Sequence, residues 1–271
     1  MPMQIDLNAK IAIVTGGARG IGRDIVRILA HEGVTTVAID INRADLDELG
    51  VELSDGGFQS AQFAGDVRDF ARLRAIVADV VSRYGRVDIL VNNAGVTATA
   101  SIEELTEEQW DFAHDVNLKG TFLMSKAVIP VMKKQGWGRI INASSFAAIV
   151  PTVNHAAYAS SKAAVAHFTR ALAGELGPYN VTVNAYAPGM VPTEMNGFTE
   201  RPAAEQSRLL DTLTLRRWGS KDDIGNLICF LASDRAGYIT GTLIDVSGGK
   251  FATQIPRAAY DDAAGAGDYE F

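Results

Sequence analysis

A chain of 271 residues, 47% hydrophobic and 21% charged, is long enough to bury one large core and has the composition of an ordinary globular domain. Its formal net charge of −7 argues against nucleic acid or an anionic membrane as a partner. A single cysteine, Cys229, excludes an internal disulfide. No apolar run reaches the ~18 residues of a membrane span, and Met1–Lys10 lacks the order of a secretory signal, so the expected location is the cytoplasm.

Ile11–Thr15 is a short apolar, β-branched run. It leads into Thr15-Gly16-Gly17-Ala18-Arg19-Gly20-Ile21-Gly22, and a helical pattern follows to about His31. This is strand, Gly-rich turn and helix. Gly16 permits the tight turn, Gly20 lets backbone approach a pyrophosphate, and Gly22 allows helix and strand to pack closely. The helix N-terminus adds free N–H groups and a favourable dipole for phosphate.

Thr35–Asp40 reads as a second strand ending in an acid, at the distance expected for a ribose-binding carboxylate. A carboxylate there accepts from both ribose hydroxyls and repels a 2′-phosphate, which selects NAD. Ile41 follows and offers no base to a phosphate. Arg19 dissents, because a base in the turn could serve NADP. The competing reading of Asp40 is a helix N-cap.

The alternation continues with a strand over Phe58–Ala64, which runs on to Asp66-Val67. An amphipathic helix over Ala71–Tyr84 and a strand over Val87–Val91 follow, the strand entering Asn92-Asn93-Ala94-Gly95. Thr106 and Gln109 have capping-box spacing. The next helix carries Asn117 in its middle, where Asn is a poor helix former and suggests a local kink that frees a carbonyl. Arg139–Ala143 is a fifth strand with Ser144-Ser145 at its carboxyl end, where ligands gather in open α/β sheets. Tyr158 opens an Ala-rich helix, and Tyr158-x3-Lys162 puts phenol and ammonium on one helix face. A cation one turn away is expected to lower the phenol's pKa and tune it for proton transfer.

Val181–Ala187 is a sixth strand ending in Pro188-Gly189, and Thr242–Val246 a seventh after a helix over Lys221–Ser233 that holds Cys229. The connection of about 193–218 is long, polar and irregular, as expected of a lid. The prediction is a single domain: a Rossmann-type doubly wound parallel sheet of seven strands with helices on both faces.

These motifs, in this order from about Lys10 to Gly249, resemble the short-chain dehydrogenase/reductases, in their soluble single-domain branch. The resemblance implies hydride transfer between a nicotinamide and a carbonyl or alcohol carbon. Tyr158 is the implied acid/base and Lys162 its tuning cation and ribose ligand. Ser145 holds the substrate oxygen, and Asn117 supports a water-linked proton path to Lys162. The implied cofactor set is Gly16, Arg19, Gly20, Ile21 and Gly22 in the turn, with Asp40 and Ile41 at the ribose. Asp66 and Val67 take the adenine, and Asn93, Ala94 and Gly95 the adenosine side. Tyr158, Lys162, Pro188, Gly189, Val191 and Thr193 complete it, Thr193 holding the carboxamide. The expected substrate lining is Val96–Thr99, including Thr97, with Phe146–Val150, Asn154, His155, Met190 and parts of Glu194–Trp218. No metal is expected.

The leading expectation is an NAD-dependent dehydrogenase of a secondary alcohol or ketone, such as a polyol, sugar or ring alcohol. The alternatives are an NADPH-dependent 3-oxoacyl-(acyl-carrier-protein) reductase and a non-catalytic dinucleotide sensor. Against the sensor, the chain keeps Asn117, Ser145, Tyr158 and Lys162. A homotetramer is implied, built on the helices bearing Asn117 and Tyr158. Residues 250–271 run past the family's usual end. They read either as a frayed tail or as one anchored by Phe251, Ile255, Tyr260, Tyr269 and Phe271 near the lid of a neighbouring subunit.

Overall fold

The computed structural model describes residues 5–194 and 196–265. The strands are β1 (Ile11–Thr15), β2 (Thr35–Asp40), β3 (Ser60–Ala64), β4 (Ile89–Asn92), β5 (Gly138–Ala143), β6 (Val181–Pro188) and β7 (Leu243–Val246). They form one sheet in the order β3-β2-β1-β4-β5-β6-β7, with every pairing parallel. Parallel strands are covered on both faces, which is why β1 and β5 are buried at every position.

The helices are α1 (Gly20–His31), α2 (Arg43–Asp55), α3 (Phe70–Tyr84), α4 (Glu107–His114), α5 (Gly120–Gln135), α6 (Ala156–Leu176), α7 (Ala203–Leu210), α8 (Lys221–Ala232) and α9 (Arg257–Gly265). Ile25 and Leu29 of α1, Leu46 and Leu49 of α2, and Ile224 and Ile228 of α8 bury one face of the sheet. Leu73 and Ile76 of α3, Met124 and Val128 of α5, and Leu172 of α6 bury the other. β2 and β4 flank β1, and the chain builds outward from it in both directions. Thr15 Oγ1 locks the gap between β1 and β4 by accepting from Asn93 N and Ala94 N, at 3.1 and 3.2 Å. Ligands sit at the carboxyl ends of strands flanking such a switch point. No described helix is long and apolar enough to cross a membrane.

Several boundaries differ from expectation. Phe58 does not pair in β3; its ring packs edge-on against His31 at 4.6 Å, so the strand begins at Ser60. Val87 does not open β4, because its amide donates to Gln135 Oε1 instead (3.0 Å). The N-cap after β2 is Asn42 rather than Asp40: Asn42 Oδ1 accepts from Ala44 N and Asp45 N at 3.1 and 3.3 Å. The capping box at Thr106 forms as expected, with both reciprocal hydrogen bonds to Gln109. Asp115–Lys119, between α4 and α5, is a π-helical turn centred on Asn117.

The described part of the tail is helical in α9 and bonds to its own chain: Arg257 Nη1 to Asp211 Oδ1 at 3.1 Å, and Tyr260 O–H donating to the Thr214 carbonyl at 2.7 Å. Phe251 sits near Phe146, ring centroids 6.4 Å apart, while Ile255 stays exposed. A charge pair and a phenol supplied on one helix face suit the nearby acid and carbonyl of the same chain. Tyr269 and Phe271 lie outside the described residues.

Candidate active site

A cavity of about 840 Å³ runs along the carboxyl edge of the sheet, from the ends of β1 and β2 to the segment before α7. It is lined by every residue singled out from the sequence for cofactor or catalysis except Asn117, and by Thr97, Phe146, His155 and Met190. Asn154, Ile149 and Val150 are not in the lining. Asn154 takes a left-handed conformation (φ 67°), and its carbonyl accepts from Ala100 N at 2.9 Å, tying two loops together.

At the phosphate end, Gly16 (φ +62°) and Gly20 (φ +56°) adopt backbone that L side chains rarely take. A Cβ on Gly22 would strike the Gly16 carbonyl, and it would lie only 2.5 Å from Asn93 Nδ2. The turn is therefore shaped for a bare backbone lying against α1. Asp40 reaches back into it: one carboxylate oxygen accepts from Ala18 N at 3.2 Å, the other from Asn42 N at 3.1 Å. Arg19 turns away from Asp40, toward Asp45 at 3.4 Å and Glu194 at 3.9 Å. Ile41 is 73% exposed. Asp66 pairs with Arg68 at 2.6 Å, which holds its carboxyl below the usual range. Cavity length, bare turn and carboxylate together fit a nicotinamide dinucleotide.

At the other end, the two serines after β5 divide their tasks. Ser144 Oγ donates to the Lys162 carbonyl at 2.9 Å and pins α6 to the sheet. Ser145 faces the Tyr158 hydroxyl and acts to lower its pKa, and its Oγ accepts from Ala147 N at 3.1 Å. Lys162 Nζ donates to the Ala143 carbonyl at 2.8 Å and lies 5.8 Å from the Tyr158 ring centroid. Burial lowers the Lys162 pKa to about 8. Burial also raises the Tyr158 pKa, and Ser145 opposes that rise.

The expected depression of the phenol by the lysine is thus corrected. The ammonium is aimed at a backbone carbonyl, and burial raises the phenol's pKa.

Asn117 is fully buried and acts on backbone. Its Oδ1 accepts from Val96 N at 2.8 Å, while its Nδ2 donates to Val96 O at 3.0 Å and to Ser161 Oγ at 2.9 Å. The kink foreseen at Asn117 is the π turn, and its carbonyl accepts from Thr121 Oγ1 at 2.8 Å. A Cβ on Gly95 would lie 3.2 Å from both Asn117 Oδ1 and Lys162 Nζ, so these groups meet at Gly95.

His155 lines the cavity with both ring nitrogens engaged. Nδ1 faces the Val153 carbonyl at 3.0 Å and must carry the proton; Nε2 then accepts from Thr99 Oγ1 at 3.3 Å. Residues missed from the sequence include Arg68, Phe112, Val116 and Thr152. Arg68 had a signal in its spacing of two from Asp66, but the others reach the cavity only through tertiary packing.

A doubly wound sheet with this turn and this Ser-Tyr-Lys set defines a Rossmann-type oxidoreductase. The chain belongs to the short chain dehydrogenase family, which matches residues 10–203. It is 39% identical to the 3-oxoacyl-(acyl-carrier-protein) reductase of Thermotoga maritima over 244 residues, covering 90% of this chain and 98% of that one. Among solved structures it is similar to a gluconate 5-dehydrogenase from Burkholderia cenocepacia in complex with NADP and tartrate (TM-score 0.88, 32% identity, 92% and 98% of the two chains). It is also similar to levodione reductase (TM-score 0.87, 30% identity, 91% and 99%).

Proposed function

We propose that the enzyme is an NAD-dependent dehydrogenase interconverting a secondary alcohol and its ketone, the substrate being a polyol, sugar or ring alcohol. The observation that carries the cofactor choice is Asp40, whose carboxylate ends β2 inside the cavity beside exposed Ile41, while Arg19 faces Asp45 and Glu194. The bound nicotinamide supplies or accepts the hydride. Tyr158 exchanges the proton with the substrate oxygen, and Ser145 fixes that oxygen by hydrogen bond. Lys162 holds the nicotinamide ribose, Thr193 the carboxamide. Asn117 serves by clamping Val96 and Ser161 beside Lys162. The segment 193–218 acts as a lid on a single domain, braced by the tail. Exposed Trp110 and Phe122 on α4 and α5 support a homotetramer, and the lone buried Cys229 suits the cytoplasm.

The test is kcat/KM with NAD and with NADP across a panel of secondary alcohols. A carboxylate about 4 Å from a phosphate charge is worth roughly 1–4 kcal/mol of repulsion between the water and protein-surface limits, or about fivefold to a thousandfold. Asp40→Ala is therefore expected to shift the NADP-to-NAD ratio upward by at least about fivefold. A wild type that already prefers NADP would overturn the reading.

A second reading, reduction of a 3-oxoacyl-carrier substrate with NADPH, is favoured by the name of the Thermotoga relative. The gluconate dehydrogenase neighbour, in complex with NADP, likewise favours the phosphorylated cofactor. Faster turnover of an acyl-carrier substrate with NADPH than of any alcohol with NAD would establish it.

A further inference from the structure

Tyr186 is the one ionisable side chain of β6, and the chemistry proposed above leaves it unused. It is 1% exposed and does not line the cavity. Its backbone is in register with Ala143 of β5, and its carbonyl accepts from Ser144 N at 2.9 Å. Its ring belongs to the core that also contains Val14, Ala18 and Val191. A buried tyrosine needs a partner for its hydroxyl. Here the partner lies beyond β5. The O–H donates to Oδ1 of Asn93, the residue directly after β4, at 3.1 Å.

Asn93 carries that contact on to the Gly-rich turn. Its Nδ2 donates to the Thr15 carbonyl at 3.2 Å and to the Gly16 carbonyl at 3.1 Å. The same nitrogen fills space that the glycines leave open: a Cβ on Gly16 would lie 3.2 Å from it, and one on Gly22 2.5 Å. The neighbours dictate how this carboxamide points. Both carbonyls can only accept, so the NH₂ faces them and the oxygen faces Tyr186. Turned over, the amide would set its oxygen against two carbonyl oxygens. Among the described residues, the Tyr186 hydroxyl is the one side-chain donor to Asn93 Oδ1. Burial raises the phenol's pKa, so it stays a donor at neutral pH.

We propose that the Tyr186 hydroxyl is a positioning group for the dinucleotide: by fixing the Asn93 carboxamide it holds the turn from Thr15 to Gly22 in its phosphate-binding shape. It does so from a strand separated from β1 by β4 and β5. The inference rests on the reading of the cavity as a nicotinamide dinucleotide site and extends that site to a residue outside its lining. Tyr186→Phe keeps the ring and removes only the hydroxyl. The Asn93 oxygen then lacks its donor, the carboxamide is free to turn, and the Gly16 carbonyl loses the bond that fixes it.

The test is the dissociation constants of NAD, NADP and ADP-ribose, measured by calorimetry on the wild type and on Tyr186→Phe. The turn serves the pyrophosphate that all three share. All three are therefore expected to weaken by about fivefold, as for the loss of one hydrogen bond, with the ratio of NAD to NADP unchanged. Amide hydrogen exchange localises the effect. Residues 16–22 should exchange faster in the variant while β6 keeps its rate, which separates positioning from a loosened core. In turnover, the loss should fall on KM for the cofactor, with kcat within about twofold.

Dissociation constants less than about twofold from wild type, faster exchange in β6 with none in the turn, or a loss confined to kcat overturns the inference. The proposed function fails on different results. A wild type that prefers NADP, or that turns over no alcohol or ketone, removes that reading and leaves the Tyr186 effect on all three nucleotides standing. A wild type that binds none of the three removes both.

Discussion

Tyr158→Phe is expected to lower kcat by about a thousandfold or more, while the dissociation constant for NAD stays within about twofold. The ring, its packing and the cofactor contacts survive the change; only the proton donor and acceptor is lost. Positioned acid–base groups contribute roughly 10²–10⁴-fold, and among the described residues no other titratable side chain is hydrogen-bonded to Ser145 to take over. The pH dependence carries its own sign. Because burial raises the phenol's pKa, the protonated form dominates at neutral pH. Ketone reduction, which needs that proton, should be favoured near neutrality, and alcohol oxidation should climb as pH rises. Stopped-flow turnover and nucleotide fluorescence check both parts. A mutant within tenfold of the wild type would remove Tyr158 from the chemistry.

Lys162→Met is expected to abolish useful turnover and at the same time to stabilise the fold at neutral pH. The side chain is 4% exposed, and its pKa of about 8 lies well below the ordinary lysine value of 10.5. The folded state therefore binds its proton more weakly than the unfolded chain does. Below about pH 8 both states are protonated and the folded state bears the whole penalty, on the order of 3 kcal/mol. Between about 8 and 10.5 the penalty fades, and above that range it is gone. Against it stands the bond to the Ala143 carbonyl, worth about 1–2 kcal/mol and lost in the variant. The net gain at pH 7 is about 1–2 kcal/mol, a few degrees in Tm for a chain of this size. Calorimetry at acidic and strongly alkaline pH tests it: the advantage of Met should vanish at the alkaline end. A wild type that is the more stable at both would show that the lysine is not carried at a cost.

The two proton-handling residues also show where the sequence stopped being readable. Their spacing and helix were legible, because four residues on a helix fix a common face and the apolar runs around them fix the sheet. Their electrostatics were not. Whether the ammonium meets the phenol or the Ala143 carbonyl depends on where β5 ends relative to α6, and the cost of burying both groups depends on the packed core. Asp40 was legible as the acid ending a strand, but its bond to Ala18 N was not, since that bond spans two strands. α2 could have been found from Leu46, Leu49 and Leu53, all buried at helical spacing behind the Asn42 cap. The tail's contacts within its own chain were not legible because Asp211 and Thr214 lie more than forty residues upstream and form no local pattern.

The π turn at Asp115–Lys119 makes the enzyme sensitive to the count of its residues as well as to their identity. A π turn holds one residue more than the α-helix it interrupts, so the helix could absorb a deletion there by becoming regular. Losing Leu118 would leave α4, α5 and the hydrophobic pattern nearly intact, but would close the bulge that carries Asn117 into a regular turn. Asn117 would swing away from Val96 and Ser161, and the loop at Gly95 would lose its clamp. Among relatives of this chain, length should therefore be held constant through this helix even where its letters drift, while insertions collect in the loops before α7 and after β7.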